Sequence, residues 1–322
     1  MRRRRPNKVG SLTAQRRFRA LPIAFSILFL AACQTGEPPE ETPPVVEVPT
    51  HIVDIVARDY AFEGPTEILS GWTTLRMENA GAEEHFMFLT RLPDGKTLQD
   101  YGPEVGSVFG RVMAQLEAGT IDKLDAGAIL GRDLPEWYTT SAIYMGGPGF
   151  VAPGHTAETT VNLDPGTYVA ECYVKTAEGV FHVALGMALP IVVTAEDSGA
   201  AEPAADVDVT VSNDAIDGPE TLAAGEHTIA VHYAEHPKAG LGNDVHLAQL
   251  SDDADVDEVV RWMDWMEIDG LRAPAPATFV GGAHEAPVDH TSYFRVDLEP
   301  GRYLWVVETM AEIGRAKEVM VE

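Results

Sequence analysis

Apolar and polar residues alternate in short runs along most of the chain. WTTLRMENAG from Trp72 and HTIAVHYAEH from His227 show the period of two that a half-buried strand requires. Turn residues separate such runs, as at Asp164-Pro165-Gly166 and Glu299-Pro300-Gly301. Two stretches depart from that period. Between about 105 and 130, Val108, Val112, Leu116 and Leu124 recur at helical spacing. The run 256–266 follows the acidic segment DDADVDE, which suits the positive N-terminal end of a helix. The pattern predicts an all-β protein, with helical inserts that cover apolar surface.

The chain also resembles itself. GGPGFVAPGHTAETTVNLDPGTY from Gly146 aligns without gaps on GGAHEAPVDHTSYFRVDLEPGRY from Gly281. Phe62-Glu63-Gly64-Pro65 answers Ile216-Asp217-Gly218-Pro219, and HFMFL from His85 answers HLAQL from His246. Two tandem Greek-key β-sandwiches, each with a short helical insert, are the simplest account. The expected domains are 51–194 and 207–322, joined by the linker AEDSGAAEPAAD over 195–206.

The N-terminus reads differently. Eight basic residues lie within 1–32, and the apolar run from Leu21 to Leu30 is too short for a spanning helix. This predicts a signal peptide over 1–32, with Arg16-Arg17 the only hint of twin-arginine export. Leu30-Ala31-Ala32-Cys33 resembles the bacterial lipobox. The resemblance implies that Cys33 is lipidated and that the mature protein is anchored to a membrane of the bacterial cell envelope. Gln34 favours the outer membrane, facing the periplasm or the exterior. Residues 33–50, rich in Pro and Glu, read as an extended spacer.

Removing the signal leaves 15 of the 23 basic residues against all 50 acidic ones, a formal charge of −35. Such a field opposes nucleic acid, which is excluded as a partner. With Cys33 acylated, Cys172 has no disulfide partner in an oxidising compartment. It is then a small core residue or a metal ligand.

The stretch ECYVKTAEGVFHVALGM, 171–187, supplies a thiol, an imidazole and a thioether, and His85 stands earlier on a strand-like run. Two imidazoles, a thiolate and a weak thioether are what a type 1 copper ion takes. With the turn Pro165-Gly166-Thr167-Tyr168 and the run His182-Val183-Ala184-Leu185-Gly186-Met187, the first domain resembles the cupredoxins, the blue copper proteins. The resemblance implies His85, Cys172 and His182 as equatorial copper ligands and Met187 as the axial one, with electron transfer as the function. Nine residues separate Cys172 from His182, more than the family usually has, so YVKTAEGVF must fold out as a hairpin around Ala177-Glu178-Gly179.

The second domain keeps His246, but Val307 stands where Cys172 does, and no histidine follows it. No copper is expected there. His155 and His290, His232 and His236, and the aromatic residues Trp137, Tyr138, Trp262 and Trp265 read as structural. An apolar patch of Phe181, Val183, Ala184 and Leu185 is the expected docking surface for a redox protein partner. Two functions remain open from the residues: a copper electron carrier, or a metal-free binding or structural module of the envelope. An enzyme is not expected. Copper oxidases that repeat this fold use His-x-His or Cys-His pairs for further centres, and this sequence has neither.

Overall fold

A computed structural model describes residues 50–237, 243–308 and 316–322. The expected signal segment, Cys33 and nearly all of the expected spacer lie outside the described residues. The first run of strands is Ile52–Arg58 (β1), Ala61–Glu63 (β2), Glu67–Asn79 (β3), Phe88–Leu92 (β4), Ile143–Tyr144 (β5), Thr156–Leu163 (β6), Gly166–Glu171 (β7) and Ala188–Asp197 (β8). The second is Val207–Val211 (β9), Ile216–Asp217 (β10), Thr221–Leu222 (β11), Gly225–Tyr233 (β12), Val245–Leu250 (β13), Thr278–Ala283 (β14), Thr291–Leu298 (β15), Gly301–Val306 (β16) and Ala316–Val321 (β17). The fold is all-β with helical inserts, as the alternation predicts.

The same pairings occur in both runs. β1 lies parallel to β3 as β9 lies parallel to β12. β7 pairs with β4 and β8 as β16 pairs with β13 and β17. The Pro-Gly turns carry the same bond twice: Tyr168 Oη donates to Asp164 O at 2.7 Å, and Tyr303 Oη to Glu299 O at 3.1 Å. β3 serves both faces of the first sandwich. Its first residues pair with β8, and from Gly71 onward it pairs with β6 and β1. Gly71 takes φ +88°, the left-handed region that a side chain would strain, and the strand changes sheets there.

A feature absent from the expectations is the seam between the two runs. β6 pairs antiparallel with β15, Thr160 opposite Tyr293 and Glu158 opposite Arg295, so one sheet of 12 strands runs through both. The other sheet has five strands in the order β11-β17-β16-β13-β14. The expected linker 195–206 is also partly structured. β8 runs to Asp197, Ser198 Oγ bonds Trp72 O, and Glu202 accepts from Tyr293 Oη.

The inserts differ in extent from the expectation. The first begins at Leu98–Tyr101 (α1), where Thr97 and Asp100 form a capping box. It continues through a π-turn at Gly102–Gly106 into Ser107–Glu117 (α2), whose Val108, Val112, Met113 and Leu116 are buried. Asp122 then caps a separate helix, Lys123–Asp133 (α3), and Pro135 precedes Glu136–Ser141 (α4). Leu124, expected on the apolar face, is 85% exposed because this new helix starts just before it. The second insert is one short helix, Val256–Trp262 (α5), with Asp255 at its N-cap and Met263 at its C-cap.

Candidate metal centre

The ligand loop folds back as a hairpin. Lys175 bridges Phe181, Thr176 N–H donates to Val180 O, and Gly179 N–H donates to Thr176 O. His182 N–H then donates to Val174 O at 2.8 Å, which returns the imidazole to the thiol. The extra length reaches the second run of strands. Lys175 N–H donates to Leu271 O, and Ala273 N–H donates to Lys175 O. Lys175 Nζ, fully buried, donates to Trp265 O at 2.9 Å and Glu267 O at 2.6 Å.

Three donors converge at the end of this hairpin. Cys172 Sγ stands 3.6 Å from His182 Nδ1 and 3.8 Å from His85 Nδ1, and all three residues are fully buried. Donors that share one tetrahedral or trigonal ion stand about 3.5–3.8 Å apart, for bonds of about 2.3 Å to sulfur and about 2.0 Å to nitrogen. Two backbone bonds to Val151 pin His85. Met187 is also fully buried; its carbonyl accepts the Cys172 N–H and its own N–H donates to His182 O.

The far nitrogens fix the tautomers. His85 Nε2 donates to Asp59 Oδ1 and His182 Nε2 to Glu83 Oε2, each at 2.8 Å. A proton held at Nε2 leaves the Nδ1 lone pair free, and both Nδ1 atoms face the sulfur. Burial keeps both rings neutral: it lowers His85 and brings His182 down to about 3. Burial pushes the Cys172 thiol up to about 12, so without a cation it stays protonated. Gly81 makes room for this arrangement. A Cβ there would come 2.3 Å from Asp59 Oδ1 and 2.7 Å from His85 Nε2.

Two neutral imidazoles, one buried thiol and a buried methionine fit a type 1 copper ion. Sequence reasoning missed the supporting carboxylates. Asp59 lies 26 residues before His85, and Glu83 lies 99 residues before His182. Nothing in their local pattern marks them.

The expected docking patch is only partly at the surface. Leu185 is 48% exposed and Ala184 is exposed, but Phe181 is buried. Phe181 instead lines an apolar cavity of about 450 Å³ with Tyr101, Phe109, Tyr138, Glu171 and Tyr173. Glu171, one of the lining residues, is raised to about 7 by burial and accepts Tyr101 Oη at 2.6 Å.

A second buried cluster was not expected. Asp244, His246, His284 and Glu308 offer donor atoms that all lie within 4.8 Å of one another. His246 is the residue that answers His85. His284 answers Gly149 and Glu308 answers Tyr173, so the repeat alone does not point to them.

No family model and no curated protein matches this chain. Solved structures do match. Auracyanin B is 20% identical over 47% of this chain and 93% of its own, with a TM-score of 0.27. Auracyanin A, a "blue" copper protein from Chloroflexus aurantiacus, is 23% identical over 44% and 98%, also at 0.27. A blue copper oxidase from Nitrosomonas europaea is 13% identical over 85% and 86%, at 0.23. Likeness of this degree concerns the fold. The expectation that the chain is not an enzyme is not upheld: the matches that span both runs of strands include multicopper oxidases and a copper-containing nitrite reductase, at TM-scores of 0.21–0.23.

Proposed function

We propose that the protein binds one copper ion, which His85, Cys172 and His182 would hold with Met187 as a fourth, weaker donor, and that it carries electrons. The observation that carries this reading is the orientation of the two imidazoles. Each is held at Nε2 by a carboxylate and presents Nδ1 to the same buried sulfur. Copper bound there would exchange one electron between its two oxidation states. The chain's own part is to keep the donors rigid and dry and the imidazoles neutral, so that little rearranges when charge changes. His85 is fixed by Val151, His182 by Val174 and Glu83, and the thiol lies under the core.

The test is a redox titration of the copper-loaded chain. One reversible electron per Cys172 is expected; a chain that takes up copper but shows no reversible one-electron step would overturn the reading.

Electrons are proposed to enter beside His182, where Ala184 and Leu185 reach solvent and Val183 is half-buried. Leu185→Glu is expected to slow exchange with a redox protein several-fold and to leave copper bound. Unchanged exchange would place the docking surface elsewhere. Phe181 is unsuited to this test, because a charge at a buried position would unfold the hairpin.

The lipid anchor at Cys33, and with it a place at the bacterial envelope, is part of the same proposal and rests on the sequence Leu30-Ala31-Ala32-Cys33. Mass spectrometry of the mature N-terminus decides it: an acylated Cys33 supports the anchor, and a cut elsewhere with no lipid rejects it.

A further inference from the structure

The second run of strands has no thiolate, but it gathers a different donor set at one end of its five-stranded sheet. Asp244 immediately precedes β13, His284 immediately follows β14, and Glu308 lies just beyond β16. In the antiparallel register Val245 faces Ala283 and His246 faces Val306, so these three positions lie at the same end. All are buried.

The hydrogen bonds show which groups are already committed. Phe150 N–H donates to His246 Nδ1 at 3.2 Å, so the proton of that ring sits on Nε2, which donates to Asp244 Oδ2 at 3.0 Å. His246 therefore orients the carboxylate and has no lone pair to offer a cation. Asp244 Oδ1 accepts the Glu308 N–H at 2.8 Å, and Glu308 Oε2 accepts Tyr173 Oη at 2.9 Å. Two atoms remain. Glu308 Oε1 and His284 Nε2 are buried with no hydrogen-bond partner among the described residues. The other ring nitrogen of His284 stands 3.9 Å from Asp244 Oδ2, beyond a hydrogen bond. Tilted ring contacts with Phe86 and Phe88 hold the His284 ring in place.

Charge makes the arrangement costlier still. Two carboxyl groups are buried side by side, and among the described residues no lysine or arginine pairs with either. Ionising both there without a countercharge would cost several kcal/mol. A bound cation supplies that countercharge and gives Glu308 Oε1 a partner.

We infer that Asp244, His284 and Glu308 hold a divalent first-row cation, with His246 and Tyr173 as the groups that orient the two carboxylates. Two carboxylates and one imidazole without sulfur suit zinc, manganese or iron(II) better than the thiolate chemistry of the first centre. Three protein ligands leave a coordination position open. The inference stands independently of the copper reading, although the two sites are close in the chain: Tyr173, which holds Glu308, is the neighbour of Cys172.

The experiment loads the full chain with copper, dialyses it against zinc, and counts both metals after gel filtration. One zinc per chain is expected. Glu308→Gln and His284→Gln should each weaken zinc more than tenfold and leave the copper count alone. Cys172→Ser should lose copper and keep zinc, which separates failure of one centre from failure of the other. A thermal melt of the same samples reads folding. Less than one retained zinc in the parent chain overturns the inference whether or not the variants fold. So does zinc binding that folded Glu308→Gln and His284→Gln leave unchanged.

Discussion

Cys172→Ser is expected to weaken copper binding by far more than about 100-fold, the upper end of what loss of a supporting second-layer partner costs a metal site. The thiolate is the one anionic donor of the set, and the two neutral imidazoles do not replace it. The same variant should abolish a pH effect. With the thiol raised to about 12 and His182 lowered to about 3, sulfur is the one donor atom of the metal-free centre that holds a proton at neutral pH. Copper displaces it, so the affinity of the parent chain should rise about tenfold per pH unit around neutrality. The sign follows from the thiol: its protonated form competes with copper, and raising the pH weakens that competition. In Cys172→Ser the slope should vanish. Isothermal titration in buffers of different ionisation enthalpy measures both. A variant that binds copper as the parent does would show that sulfur is not a ligand.

Lys175→Ala is expected to destabilise the metal-free chain by about 2–4 kcal/mol. Its ammonium group is buried, and it is the donor to Trp265 O and Glu267 O. Removing it leaves two inward carbonyls without that partner, and charged hydrogen bonds of this kind contribute about 1.5–3 kcal/mol each before compensation by backbone bonds nearby. The hairpin is also the arm that carries His182, so the loss should show as a looser centre and faster copper release. Denaturant unfolding with and without copper tests this. An unchanged midpoint would mean that the backbone bonds of Lys175 to Leu271 and Ala273 hold the hairpin alone.

Much of the fold can be read from particular residues. Alternation in WTTLRMENAG and HTIAVHYAEH marks β3 and β12, and the Pro-Gly turns mark the connections from β6 to β7 and from β15 to β16. The hairpin over 173–181 follows from the need to bring His182 back, and Gly179 at φ +88° turns it. The seam between β6 and β15 is not legible. Both strands alternate like any other, and nothing in Glu158-Thr159-Thr160 announces that its partner is Tyr293-Phe294-Arg295. The helix boundaries depend on caps, Thr97, Asp122 and Asp255, which a count of apolar spacing passes over.

The site divides in the same way. His85, Cys172, His182 and Met187 are visible because thiol, imidazole and thioether in that order have few other uses. Asp59 and Glu83 are invisible, because a carboxylate in a chain with 50 of them acquires a role only from what it faces. His284 and Glu308 are hidden for a related reason. They replace Gly149 and Tyr173 in the alignment of the two runs, so the comparison that exposes the missing cysteine conceals the different donor set beside it.

The central claim is that Cys172 binds copper between two imidazoles. Its most direct test is the visible absorption spectrum of the soluble chain, starting at Gln34, as Cu(II) is added to one equivalent. An intense thiolate-to-copper charge-transfer band is expected to grow linearly and stop at one copper per chain. A colourless protein at one equivalent, with no stoichiometric copper bound in either oxidation state, would contradict it.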